Sequence, residues 1–159
     1  MANLIDMPAT ATRVPRHTES EINERIRRQT ECNIRHYGKQ GSEAITRRLA
    51  ELDHEWDIER TLEANAASIS LIGLGLGASV DRRWFILPAI VASFLLQHAL
   101  QGWCPPVPVF RRMGVRTETE IGYERYALKA MRGDLRQLPR EVGEIDRIDP
   151  EKIMDMLSQ

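Results

Sequence analysis

The residue with the clearest chemical potential is Cys104, set in Gly102-Trp-Cys104-Pro-Pro. A thiol there can act as a nucleophile, a sulfur acceptor or an acylation site, or simply as a small residue at an interface. The only other cysteine, Cys32, lies among polar residues with no His–Asp context that would argue for a nucleophile. No Cys-x-x-Cys pair exists, so dithiol exchange within one chain is unsupported. Cys104 is therefore kept as a lone candidate reactive thiol. Ser93, Gln97 and Gln101 recur at i, i+4, i+8, with His98 beside them. Polar groups in an apolar helix either bond to a neighbouring helix or mark a transport path. No charged residue joins them in sequence, which favours interhelical hydrogen bonding. His54, Glu55 and Asp57 cluster without a metal-ligand spacing such as His-Glu-x-x-His, and read as a solvated helix face. We expect no metal and no cofactor, and find no catalytic constellation.

Gly73-Leu-Gly75-Leu-Gly77 superficially resembles a dinucleotide-binding turn. Such a turn needs an acidic residue roughly 20 positions on, at the end of a second strand. Positions 84–110 contain none. The glycines make better sense in lipid, where small residues let helix backbones approach closely. Gly73 and Gly77 form one such pair, extended by Ala66 and Ser70. Ala89 and Ser93 form a second. These four, Gly73, Gly77, Ala89 and Ser93, are the expected helix-packing positions, within a hairpin or between protomers.

The chain has 159 residues, with 22 Lys+Arg against 23 Asp+Glu and a formal charge of −1. That balance excludes nucleic-acid binding built on bulk basicity, and two cysteines exclude a disulfide-dense scaffold. Charge is sharply segregated. The stretch 64–110 holds only Asp81, Arg82 and Arg83, while every other charge lies outside it. A membrane hairpin with polar ends has this pattern. Residues 64–80 are uncharged and span roughly 26 Å as a helix, the short end of the spanning range. Asp81-Arg-Arg83 makes a turn. Residues 84–103 are again uncharged, with Trp84 and Trp103 roughly 29 Å apart along a helix, close to the hydrocarbon thickness. Tryptophan prefers the headgroup level, so Trp84 and Trp103 are the expected interface anchors. Pro88 falls near the first turn, where a missing amide costs little.

The flanks predict helical arms. Residues 1–17 read as a flexible N-terminal tail; no apolar stretch of about 7–15 residues follows the start, so they are not a signal peptide. Thr18-Glu-Ser-Glu21 matches a capping box opening a helix to about residue 36, with a thin apolar side of Ile22, Ile26 and Ile34. A second helix starts near Ser42, with Ile45, Leu49, Leu52 and Trp56 on one face. Without Pro or Gly from 42 to 72, it is expected to continue into the apolar segment. Ile121, Leu128, Met131, Leu135 and Leu138 mark an amphipathic helix ending at Pro139, and Asp149-Pro150 opens a short terminal helix.

The expected fold is all-α: a two-span transmembrane hairpin (64–110) between a cytoplasmic helical arm (18–63) and cytoplasmic C-terminal helices (111–159). Arg47, Arg48, Arg60, Arg111, Arg112, Arg116 and Arg125 flank the hairpin's open end, against Arg82 and Arg83 in the turn. The positive-inside bias places both termini in the cytoplasm of a bacterial-type inner membrane.

Asp57-Ile-Glu-Arg60, the Gly-rich first span, the short turn, Gly102-Trp-Cys104-Pro and Phe110-Arg-Arg-Met-Gly114-Val-Arg-Thr117 together resemble the YgaP-like inner-membrane domain, a family of unknown function. The resemblance covers roughly residues 57–117. It implies a membrane anchor or dimerisation unit, since in some relatives such a hairpin is fused to a rhodanese sulfurtransferase and is thought to dimerise. No rhodanese-like cysteine loop is present here, and only Cys104 carries over as a candidate position. The expected role is thus a non-enzymatic anchor or assembly unit, partnered by the bilayer and by a second copy or another protein. The alternatives are a sulfur-handling or thiol-dependent membrane protein (or small oligomeric transporter) using Cys104, and a soluble helical protein that buries the hairpin.

Overall fold

The structure, a computed structural model, describes residues 8–134. Helices and their connecting turns account for all regular structure among the described residues: α1 (Arg13–Arg16), α2 (Ser20–Gln40), α3 (Ser42–His54), α4 (Ile58–Ser79), a 3-10 turn (Arg82–Phe85), α5 (Ile86–Gln101), α6 (Val107–Arg112) and α7 (Glu118–Arg132). The all-α expectation stands. The expected helix after Asp149, the contributions of Leu135 and Leu138, and residues 1–7 lie outside the described residues.

The arms pack on each other. Gly41, at φ +92°, lets the chain reverse directly from α2 into α3. Ile45, Leu49 and Leu52 of α3 bury against Ile121 and Leu128 of α7, with Tyr37 of α2 at the edge. Each fully buried aliphatic side chain here contributes about 1.5–3 kcal/mol. The thin apolar face of α2 finds its partner in α7, with which it packs, and Ile22 and Ile26 are buried. Gly38 leaves room for the end of Met131.

Several sequence expectations are corrected. Thr18 does not cap α2; its hydroxyl donates to the Val14 carbonyl, and α2 starts at Ser20 without a side-chain cap. The tail is not wholly unstructured, because Arg13–Arg16 form α1 and Val14 is buried. The capping box lies instead at α7, where the Thr117 hydroxyl accepts from the Glu120 amide and the Glu120 carboxylate accepts from the Thr117 amide.

The helix expected to run unbroken from Ser42 stops at His54. Tertiary bonds outcompete helix continuation there. Arg116 holds the Glu55 carboxylate with two bonds of 2.7 Å, and the Ile58 amide donates to the Arg116 carbonyl at 2.8 Å. Asp57 then caps α4, its carboxylate accepting from the Arg60 amide. Trp56 therefore leaves the apolar face of α3. It is half exposed and stacks under the Arg60 guanidinium, 4.5 Å from the ring centroid. His54, Glu55 and Asp57 are consequently not one solvated face: two of the three hold the break.

Helices α4 and α5 form an antiparallel hairpin. Its open end joins the bundle through a small apolar cluster of Val14, Ile58, Leu62, Cys104 and Val107, packed by Phe110 and Val115. The start of α4 and the segment after α5 thus meet the same bundle.

Candidate functional site

The hairpin closes through its glycines. A Cβ on Gly73 would meet Pro88 Cδ at 2.7 Å and Leu87 Cβ at 3.2 Å, and one on Gly77 would meet the Phe85 ring at 2.7 Å. Gly73 and Gly77 are packing positions within the hairpin. Ala89 and Ser93 are not their counterparts: both are exposed, and Phe85, Leu87 and Pro88 take that place. The Ser93 hydroxyl donates back to the Ala89 carbonyl of its own helix. Trp84 is exposed beside the turn, and Trp103 is half-buried at the open end. They stand at opposite ends of the second apolar segment.

At the open end the candidate thiol acquires neighbours. Cys104 is 2% exposed, in the connection between α5 and α6, within the junction cluster. His98, on the last turns of α5, is 4% exposed and lies beside it. The His98 Nε2 is 2.8 Å from Oε2 of Glu59 on α4. The other carboxylate oxygen of Glu59 accepts from Arg13 Nη2 at 2.9 Å, and Arg13 Nη1 donates to the Ala99 carbonyl at 2.8 Å. An ionised carboxylate only accepts, so the proton in this bond sits on Nε2, and the other ring nitrogen is Nδ1. That Nδ1 is buried and has no hydrogen-bond partner.

Sequence reasoning identified His98 as an interhelical hydrogen-bonding residue and Cys104 as a thiol. It missed Glu59 and Arg13. Glu59 lies before the apolar stretch, so a search of positions near His98 in sequence finds no acid.

A second polar network lies inside the bundle. Glu124 is fully buried and accepts from Arg48 Nε at 2.8 Å and from Arg116, with Asn33 at 3.5 Å. Burial pushes the Glu124 carboxyl up, but the bonds from Arg48 and Arg116 outweigh it and hold the group below its ordinary value of 4.5. Glu120 behaves alike: burial raises it, while a two-bond pair with fully buried Arg111 at 2.6 and 2.7 Å brings it below 4.5. Arg48 and Arg116 also line an open cleft of about 300 Å³ with Arg25. Both are committed to carboxylates, and Arg25 donates to the Arg112 carbonyl. The cleft is a by-product of the ion network and offers no free cation pair for an anion. Among the described residues no group of three or more His, Cys, Asp and Glu is placed to hold a metal ion.

No protein-family model, curated protein or solved structure matches the chain.

Proposed function

We propose that this is a small integral membrane protein. In this reading α4 and α5 cross an inner-membrane bilayer as a two-span hairpin, both termini lie in the cytoplasm, and the α2–α3–α7 bundle is a membrane-anchored assembly or dimerisation unit without turnover of its own.

One observation carries the reading. The helical stretch Arg82–Gln101 is long and apolar enough to cross a bilayer, with a mean hydropathy of 1.4, yet only 6% of its most apolar window is buried inside the protein. A soluble core helix would bury that surface. Leu71, Ile72, Ile86 and Leu96 all stand more than half exposed along the hairpin. Contiguous exposed apolar surface on this scale marks a membrane or protein interaction site. The bundle at the open end is, by contrast, laced with ion pairs. The seven-to-two arginine asymmetry sets the proposed orientation, and the motif resemblance to the YgaP-like hairpin agrees with an anchoring and pairing role.

Carbonate extraction of membranes, followed by labelling of a cysteine introduced at Arg82 in a chain lacking Cys32 and Cys104, tests this. We expect carbonate resistance and labelling of position 82 by an impermeant maleimide in intact cells. Release by carbonate, or labelling only after lysis, overturns the membrane placement or the orientation respectively.

A further inference from the structure

We propose that the closed tip of the hairpin, at Asp81 and Arg82, binds the headgroup of an amine-bearing phospholipid, a phosphoethanolamine. The inference rests on the membrane reading, in which exposed Trp84 sets the tip at headgroup depth. An open notch of about 560 Å³ lies at the tip, lined by Gly77, Ser79, Val80, Asp81, Arg82 and Phe85. Its size falls in the range of ligand pockets, about 300–1,000 Å³. Gly77 lets the Phe85 ring lie against α4, where a Cβ would come within 2.7 Å of it, and so gives the notch an apolar wall.

The notch has two poles. The negative one is the end of α4. The Leu76 carbonyl accepts from both the Val80 and the Asp81 amides, at 2.8 and 3.2 Å, so the Gly77 carbonyl is passed over. Carbonyls of a last helical turn lack intrahelical partners and carry the negative end of the helix dipole. The Asp81 carboxylate adds a full charge. Its Oδ1 accepts from the Arg83 amide at 2.8 Å, and Oδ2 has no partner among the described residues. The positive pole is Arg82. Arginines of the bundle such as Arg48, Arg111 and Arg116 close ion pairs. Among the described residues Arg82 and Arg83 close none, and of these two only Arg82 lines the notch.

A phosphoethanolamine headgroup carries the matching pair. Its phosphodiester oxygens accept charge-assisted bonds from a guanidinium. Its ammonium has three N–H donors for a carboxylate and helix-end carbonyls. A choline headgroup has the same charges but no N–H to donate. A purely anionic headgroup would leave the carbonyl end of α4 without a donor and meet Asp81 with like charge. Val80, Phe85 and Ile86 are all exposed, so the notch opens onto the apolar surface of the hairpin. Acyl chains can follow that surface, which a soluble phosphoamine would not use.

The test offers the full chain, in detergent micelles, equal amounts of phosphatidylethanolamine, phosphatidylcholine and phosphatidylglycerol of one chain length. Native mass spectrometry counts the lipids retained. We expect phosphatidylethanolamine to be retained at least about threefold over either competitor. Arg82→Gln is expected to abolish that preference, whereas Arg83→Gln, outside the notch, keeps it. Asp81→Asn retains an oxygen to cap the Arg83 amide and is expected to lower phosphatidylethanolamine to the level of phosphatidylcholine. All three positions are exposed, and far-UV circular dichroism checks that each variant stays helical. Equal retention of the three lipids, a preference for phosphatidylglycerol, or equal losses in the two arginine variants overturns the site. Displacement of the lipid by an equal concentration of glycerophosphoethanolamine assigns the notch to a soluble ligand and overturns the lipid. Carbonate resistance of the parent separates the two readings. If it is lost, the membrane placement fails; if it is kept without a phosphatidylethanolamine preference, only the headgroup site fails.

Discussion

Glu59 and His98, 39 positions apart in the chain, are joined by a 2.8 Å hydrogen bond across the open end of the α4–α5 hairpin. The bond couples three parts of the molecule. It ties the first helix of the hairpin to the second, and it fixes the ring beside Cys104. Through Arg13, which donates to the same carboxylate, it also ties in the short N-terminal helix. The hairpin's closed end depends instead on glycine, and the attached bundle on paired charges.

Leu96 is 62% exposed, near the middle of α5. A charged side chain at the centre of a spanning helix costs about 2.5–3.5 kcal/mol on insertion scales. Leu96→Arg is therefore expected to reduce the membrane-inserted fraction sharply, as read by carbonate extraction. In a water-soluble protein the same exposed substitution would be close to neutral.

Gly73 faces Pro88 and Leu87 at distances no side chain can share, and the proline ring cannot swing away. Gly73→Val is expected to destabilise the hairpin by about 1–3 kcal/mol. Gly75 has nothing within 4 Å, so Gly75→Ala is expected to be neutral or slightly stabilising, by up to about 1 kcal/mol of helix propensity. Thermal unfolding in matched detergent separates the two.

Glu124 is the buried acceptor for both Arg48 and Arg116. Truncating one partner of a buried ionic cluster leaves charge uncompensated and costs about 3–5 kcal/mol. Glu124→Ala should accordingly lower the unfolding midpoint of the α2–α3–α7 bundle more than any surface substitution. Far-UV circular dichroism against temperature reads it.

The carboxyls of Glu120 and Glu124 lie below their ordinary 4.5 in the folded chain. A depressed folded pKa means that the unfolded state binds protons first as pH falls. The stabilisation is therefore fully present above about 4.5 and is lost as pH drops through the lower folded values. We expect the thermal midpoint attributable to these groups to hold from pH 7 to about 5 and to fall steeply below about 4.5. A midpoint that instead rises on acidification would contradict the ion network.

Thr117 caps α7 in a reciprocal pair with Glu120, and Glu120 also holds buried Arg111. Thr117→Ala removes the cap alone and should cost about 1 kcal/mol. Glu120→Ala removes the cap's second half and exposes Arg111 to an unpaired environment, so its loss should be several times larger in the same denaturation assay.

The helices of this protein follow closely from local signals. The 3.6-residue spacing of Ile45, Leu49 and Leu52 marked the buried face of α3, and all three are buried. Gly73 and Gly77 marked a close approach, which the hairpin uses against Phe85, Leu87 and Pro88. Helix boundaries were less legible where tertiary bonds intervened. Nothing in Ser42–Ile72 breaks a helix intrinsically; Arg116, far along the chain, extracts Glu55 and ends α3. Thr18-Glu-Ser-Glu21 has the composition of a capping box, but Thr18 bonds back to Val14. Thr117-Glu-Thr-Glu120 has the same pattern and forms one.

The sequence by itself determined the helical class, the segregation of charge away from residues 64–110, the turn at Asp81–Arg83 and the presence of a single thiol at the end of the second apolar segment. These depend on residue type and on spacings within one or two helical turns, which is the range over which local patterning acts. Tertiary structure alone decided which arginines meet Glu55, Glu120 and Glu124, and that Ala89 and Ser93 face outward. It alone joined His98 and Arg13 through the Glu59 carboxylate. Those contacts join residues tens of positions apart, and their geometry follows from how the helices pack, which no local spacing encodes.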